Sequence, residues 1–95
     1  MTVSNKKLLK EIIAAFPQAA DALKSWLAIA ENSEWQTPHA VKAQFGKAKV
    51  IGGKNIVFKI KGNAYRLWIK VNYSAGVILI KKFGTHNEYD DWEIK

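Results

Sequence analysis

The sequence predicts an α+β fold in which N-terminal helices pack on a small, mainly antiparallel β-sheet. Three observations carry that prediction. Apolar residues recur at helical spacing through the first third of the chain, alternation replaces that spacing from Lys47 onward, and glycine-bearing turn signals separate the alternating runs.

Ser4 is placed to cap the first helix, and Leu8, Leu9, Ile12, Ile13 and Phe16 give it one apolar face. Pro17 fits the break that follows, because proline suits a first helical turn and disfavours helix in the residue before it. Ala22, Leu23, Trp26, Leu27, Ile29 and Ala30 form a second stripe that runs to about Asn32. Trp26 and Trp35 are assigned to core or helix contacts. Thr37-Pro38 reads as an N-cap with proline at the first helical position and Gly46 as the stop, which predicts a short third helix over 38–45.

The strands follow. Residues 49–51 read as a short strand and Gly52-Gly53-Lys54 as a hairpin turn. In 55–61, Ile56, Phe58 and Ile60 share one face, with Lys59 and Lys61 on the other. Gly62-Asn63 turns the chain into 64–73, where Tyr65, Leu67, Ile69, Val71 and Tyr73 alternate with Arg66, Trp68, Lys70 and Asn72. After Ser74-Ala75-Gly76, the run 77–83 is apolar at each of its first positions, which predicts a strand that is central in the sheet or covered on both faces. Residues 89–95 fit either a short strand or a helical turn.

Ninety-five residues fit one folding unit spanning 1–95, and 48% hydrophobic and 12% aromatic content is enough for a packed core. The absence of cysteine excludes disulfides, thiolate metal sites and cysteine nucleophiles. No apolar run is long enough to cross a bilayer and the N-terminus lacks the pattern of a signal peptide, so a cytoplasmic protein is the expectation. The two histidines and the C-terminal carboxylates lack the local spacing of a metal site, and no glycine-rich phosphate loop opens a helix, so neither metal nor small-molecule cofactor is expected.

The net charge of +7 points to a polyanionic partner. Residues 1–40 carry four lysines against four acids, whereas 41–86 hold nine lysines and Arg66 with no acid. The lysines are interleaved with Val, Ile, Phe, Tyr and Trp, so the positive field belongs to a folded sheet and not to an unfolded basic arm.

Within that sheet Lys59, Lys61 and Arg66 are expected to converge on one face. Such a cluster is repulsive unless an anion sits among its members, although lysines also commonly fill the wet face of an antiparallel sheet. Arg66 is the only arginine among fifteen basic residues, and a guanidinium can hold a phosphate through two hydrogen bonds where an ammonium cannot. Trp68 on the same face can stack a base or simply pack against lysine stems. His86 follows the last strand, and imidazole exchanges protons near neutrality, as general acid and base catalysis requires. His39, in the third helix, lies apart from this group.

The stretch Phe58-Lys59-Ile60-Lys61-Gly62-Asn63-Ala64-Tyr65-Arg66-Leu67, followed by Gly84-Thr85-His86-Asn87-Glu88-Tyr89-Asp90, resembles the HigB-type toxins of the RelE-like superfamily. The resemblance covers nearly the whole chain. It implies a RelE-like fold and a ribosome-dependent endoribonuclease that cuts messenger RNA and is silenced by a helix-turn-helix antitoxin of the HigA type in a hetero-oligomer. It further implies that Lys59, Arg66, His86 and Tyr89 are catalytic, and that Lys61 and Lys81 contact RNA, alongside Trp68 and Lys70 on the basic face. A histidine stands near the end where many RelE-like toxins place an arginine, so the acid and base roles stay open. The alternatives are a non-catalytic RNA- or ribosome-binding module, and a structural protein whose basic face docks an acidic partner.

Overall fold

The computed structural model describes residues 1–94; Lys95 lies outside the described residues. Strand β1 (Thr2–Val3) precedes helix α1 (Lys6–Ala15), a 3-10 turn at Pro17–Ala19, helix α2 (Ala20–Glu31) and helix α3 (Pro38–Gln44). Strands β2 (Lys49–Ile51), β3 (Asn55–Ile60), β4 (Tyr65–Asn72) and β5 (Val77–Thr85) follow, and helix α4 (His86–Tyr89) closes the series. The sheet order is β1-β5-β4-β3-β2, with every pairing antiparallel except that of β1 with β5.

The inner face of the sheet meets the helices. Ile56, Phe58, Ile60, Leu67, Ile69, Val71, Ile78, Ile80 and Phe83 are buried together with Leu9, Ile12, Leu23, Trp26, Trp35 and Val41. Phe58 sits at the centre, with ring centroids 4.9 Å from Phe45, 5.5 Å from Trp26 and 6.3 Å from Trp35. A second aromatic group, Phe16, Tyr65 and Phe83, closes one end at centroid separations of 5.0–5.6 Å.

Several local expectations are corrected. The first helix is preceded by β1, and its N-cap is Asn5, not Ser4. Asn5 makes no capping bond. Its side-chain amide donates to Ile80 O (2.7 Å) and accepts from Ile80 N (2.8 Å), so it imitates a peptide group and continues the parallel pairing that β1 begins. β5 is central, between β1 and β4, as one of the two readings of its apolar run had it, but it is not covered on both faces: Leu79 is 37% exposed on the side away from the helices. Of the segment 89–95, read as a short strand or a helical turn, only Tyr89 is helical, as the last residue of a four-residue helix begun at His86, and residues 90–94 form a turn and irregular chain, neither strand nor helix.

The hairpins are set by backbone conformations that side chains resist. Gly52 and Gly53 have φ of 65° and 82°. In the next hairpin Lys61 itself adopts φ 55°, a left-handed conformation that costs a non-glycine residue about 1–2 kcal/mol. β3 ends at Ile60, so Lys61 lies in the turn and does not share a strand face with Lys59 as expected.

Candidate nucleic-acid interface and active site

The outer face of the sheet carries the basic residues. Lys59, Arg66 and Gly84 stand opposite one another across β3, β4 and β5. One residue pair along, Trp68 faces Val57 on one side and Lys82 on the other. The register shifts between Trp68 and Ile69, which makes Lys81 the extra residue of a bulge. Because of it, Lys81 and Lys82 are both exposed while Ile80 and Phe83, on either side, both point into the core. Lys81 and Lys82 hold their ammonium groups 5.7 Å from the ring centroids of Trp68 and Trp92 respectively.

Arg66 does not project into solvent. It is only 7% exposed, and its guanidinium donates to Asn63 O (3.0 Å), Tyr65 O (3.1 Å) and Asn63 Oδ1 (2.8 Å), which ties down the β3–β4 turn. The same guanidinium lies 5.7 Å from the Tyr89 ring centroid. The backbone N–H of His86 donates to Ala64 O (3.2 Å), so the turn and α4 are joined directly. Lys59, Arg66, His86 and Tyr89 therefore gather at one end of the sheet, with Lys59 and His86 exposed and Tyr89 half-buried. Lys61 borders this group from the turn. Lys70, four residues along β4 from Arg66, is about 14 Å away at strand rise, so it belongs to the far part of the same face. His39 is exposed on α3, apart from this end.

α4 is only four residues long and is fixed by its cap. Thr85 Oγ1 accepts from Glu88 N (3.2 Å), and Glu88 Oε1 accepts from Thr85 N (3.0 Å). The hydrogen bond from the Thr85 backbone, then that with its side chain, then the charge of Lys82 hold the Glu88 carboxyl below its usual range. At the other end of the sheet, burial pushes the Tyr73 hydroxyl above its usual range, and that hydroxyl donates to Gly53 O (2.6 Å).

The outer face is not open, as the alternation suggested, because the segment after α4 folds back over it. Trp92 packs against Trp68 (6.4 Å, tilted) and edge-on against Tyr89 (5.5 Å). A Cβ on Gly84 would lie 3.1 Å from Trp92 Cζ2, so the absence of a side chain there admits the indole. Val57 and Asn55, on this same face, are buried, and Trp68 Nε1 donates to Asn55 Oδ1 (3.0 Å). Lys82 and Trp92 are the members of this arrangement that sequence reasoning missed. The adjacent lysines between Ile80 and Phe83 are the sign of a bulge that could have found the first.

Comparison with known protein families matches residues 19–92 to HigB_toxin, the RelE-like toxic component of a toxin-antitoxin system. The chain belongs to the HigB toxin family. The match contains every candidate site residue and leaves out β1 and α1. The α+β architecture agrees with the RelE-like toxin fold, and membership implies an antitoxin partner. A search of curated proteins finds no match. Among the described residues no helix is long and apolar enough to cross a membrane, and no three histidine, cysteine or carboxylate side chains group to hold a metal ion.

Proposed function

We propose that this HigB-family toxin is a ribosome-dependent endoribonuclease of messenger RNA. On this reading it acts in the cytoplasm as a single domain over 1–95 and is neutralised by a helix-turn-helix antitoxin of the HigA type. The observation that supports the reading is the contact of Arg66 with Tyr89, with Lys59 paired opposite Arg66 and the His86 backbone bonded to Ala64, at one end of a basic face whose lysines make no salt bridge among the described residues.

The chemistry is attack of a ribose 2′-oxygen on the adjacent phosphorus, with rupture of the bond to the 5′-oxygen, which leaves a cyclic phosphate and a free 5′-hydroxyl. His86 or Lys59 takes the 2′-hydroxyl proton, and His86 or Tyr89 delivers a proton to the departing oxygen. Lys61 and Arg66 stabilise charge on the phosphoryl oxygens. Since the Arg66 guanidinium is already bonded to Asn63, a phosphate meets it by displacing Asn63 Oδ1, while its charge also positions Tyr89. Trp68, Lys70 and Lys81, with Lys82, hold the flanking RNA. A small, shallow basic face of this kind, partly covered by the C-terminal segment, binds RNA but does not bend it for in-line attack, which is the ribosome's contribution.

The burial of Arg66 favours one alternative, a non-catalytic RNA- or ribosome-binding module in which the guanidinium is purely structural. Primer extension on a reporter message in a translating extract separates the two. Cuts that need both ribosomes and an intact His86, and vanish in His86→Ala and Arg66→Ala, are the expected result. Tight ribosome binding with intact message would overturn the nuclease reading.

A further inference from the structure

We propose that the hollow between the C-terminal segment and β2 is a nucleobase pocket that selects guanine, with Asp90 as the reading group. The proposal rests on the reading of this chain as an RNA-directed toxin and adds the base it prefers.

The hollow has a volume of about 310 Å³ and is lined by Lys49, Ile51, Tyr89, Asp90, Trp92 and Ile94. It adjoins the candidate active site, because the Tyr89 ring that lines it also lies against the Arg66 guanidinium. A nucleotide whose phosphate is held near Arg66 therefore has this hollow within reach of its base.

The lining suits a base in three ways. Trp92 offers an indole face held in place by Tyr89, Trp68 and Lys82, and aromatic faces stack bases of any sequence. Ile51 and Ile94 add apolar contact to its walls. Asp90 and Lys49 supply a pure acceptor and a pure donor. Guanine presents two adjacent donors, N1–H and the 2-amino group, that match both oxygens of a carboxylate, together with O6 and N7 as acceptors for an ammonium. Adenine and cytosine offer a carboxylate only their single amino group, and uracil one ring N–H.

The position of Asp90 supports this assignment. A carboxylate beside a surface that binds a polyanion repels it, and no acid occurs between residues 41 and 86, where the cations lie. Asp90 nonetheless stands at the rim of that face and makes no ion pair among the described residues. Of the four acids at 88, 90, 91 and 93 it is the one that lines the hollow, and a group that reads base edges accounts for its place there.

The test uses fluorescently labelled 2′-O-methyl RNA hexamers, otherwise all uridine, that carry one central guanine, adenine, cytosine or uracil. The 2′-O-methyl group removes the attacking hydroxyl, so anisotropy reads binding alone. The guanine hexamer should bind the wild-type chain at least about tenfold tighter than the others. Asp90→Asn, an isosteric change at an exposed position, should bring it to their level, and Trp92→Phe should weaken all four alike. Equal binding of the four by the wild type, or a guanine preference that survives Asp90→Asn, would overturn the proposal. Because these oligonucleotides cannot be cut, absence of cleavage on ribosomes would refute the nuclease reading and leave the binding result standing.

Discussion

Thr85 is one hydroxyl away from setting α4 loose. Helix α4 has four residues, too few to form on its own, so its order draws on the reciprocal bonds between Thr85 and Glu88, on the bond from His86 N to Ala64 O, and on the contacts of Tyr89 with Arg66 and Trp92. Thr85→Ala removes the hydroxyl acceptor and leaves the backbone of β5 intact. The cost of such a change is about 1 kcal/mol, which shifts the balance between closed and open α4 about fivefold. The loss should stay local, because α4 contributes no buried residue to the core. Hydrogen exchange by mass spectrometry should show the amides of 86–92 exchanging about fivefold faster, with β3 and β4 unchanged. Cleavage on ribosomes should fall in step, since His86 and Tyr89 ride on this turn. Unchanged exchange at 86–92 would refute the argument that the cap holds the site. A fall in protection across the whole sheet would refute the claim that the site opens independently of the core.

Other outcomes follow from the same geometry. Phe58→Ala, which removes the ring shared by Trp26, Trp35 and Phe45, should cost about 3–5 kcal/mol in urea unfolding. Lys61→Gly relieves a left-handed backbone, so stability should hold or rise by up to about 1 kcal/mol while RNA affinity falls, as melting and anisotropy would show. Replacing both Lys81 and Lys82 by alanine should reduce the slope of log affinity against log salt for single-stranded RNA by about 1.4. The Glu88 carboxyl is held below its usual range, so the stability it lends α4 is present above the ordinary carboxylate range and is lost as pH falls through the lower, folded value. The Thr85 and Glu88 amide resonances should therefore stay fixed through mildly acidic pH and move only below that range.

The helices and the meander were legible because each has a period that burial enforces. Leu9 and Ile12, then Leu23, Trp26 and Ala30, are positions that the helical stripes placed inside and that are buried, whereas Ile29 of the second stripe is 40% exposed; Ile56, Phe58, Ile60, Leu67, Ile69 and Val71 are those that alternation placed inside. β1 was not legible because two residues carry no period; backbone bonds from Thr2 N to Gly76 O and Ser4 N to Ile78 O anchor it, and the Asn5 side chain extends the pairing to a strand some 75 residues later. The same limit explains Ser4 and Asn5: both residue types cap helices, and only the tertiary partner decides which of them does something else. The apolar run 77–80 suggested a central strand or two covered faces; β5 is central, but Leu79 pairs across from Lys70 on a side that nothing fully covers.

The site was legible as a set of residues and not as an arrangement. Alternation places Arg66 on the basic face, yet it is silent on whether a guanidinium reaches outward or folds onto its own turn, because that depends on Asn63 three residues earlier. It also treats Lys81 and Lys82 as pointing to opposite sides, which would drive one ammonium into the core beside Ile80 or Phe83. The bulge resolves that conflict: burying a charge costs far more than leaving one residue unpaired in a ladder, so the strand gives up its register between Trp68 and Ile69. The consequence reaches the site, since the bulge presents one lysine to Trp68 and the next to Trp92. The indoles that clasp the C-terminal segment onto the sheet are thus flanked by cations. Since that clasp joins the segment to the sheet through Trp68, Trp68→Ala should free Trp92, and its fluorescence should move to the wavelength of a solvated indole while the core tryptophans Trp26 and Trp35 keep theirs.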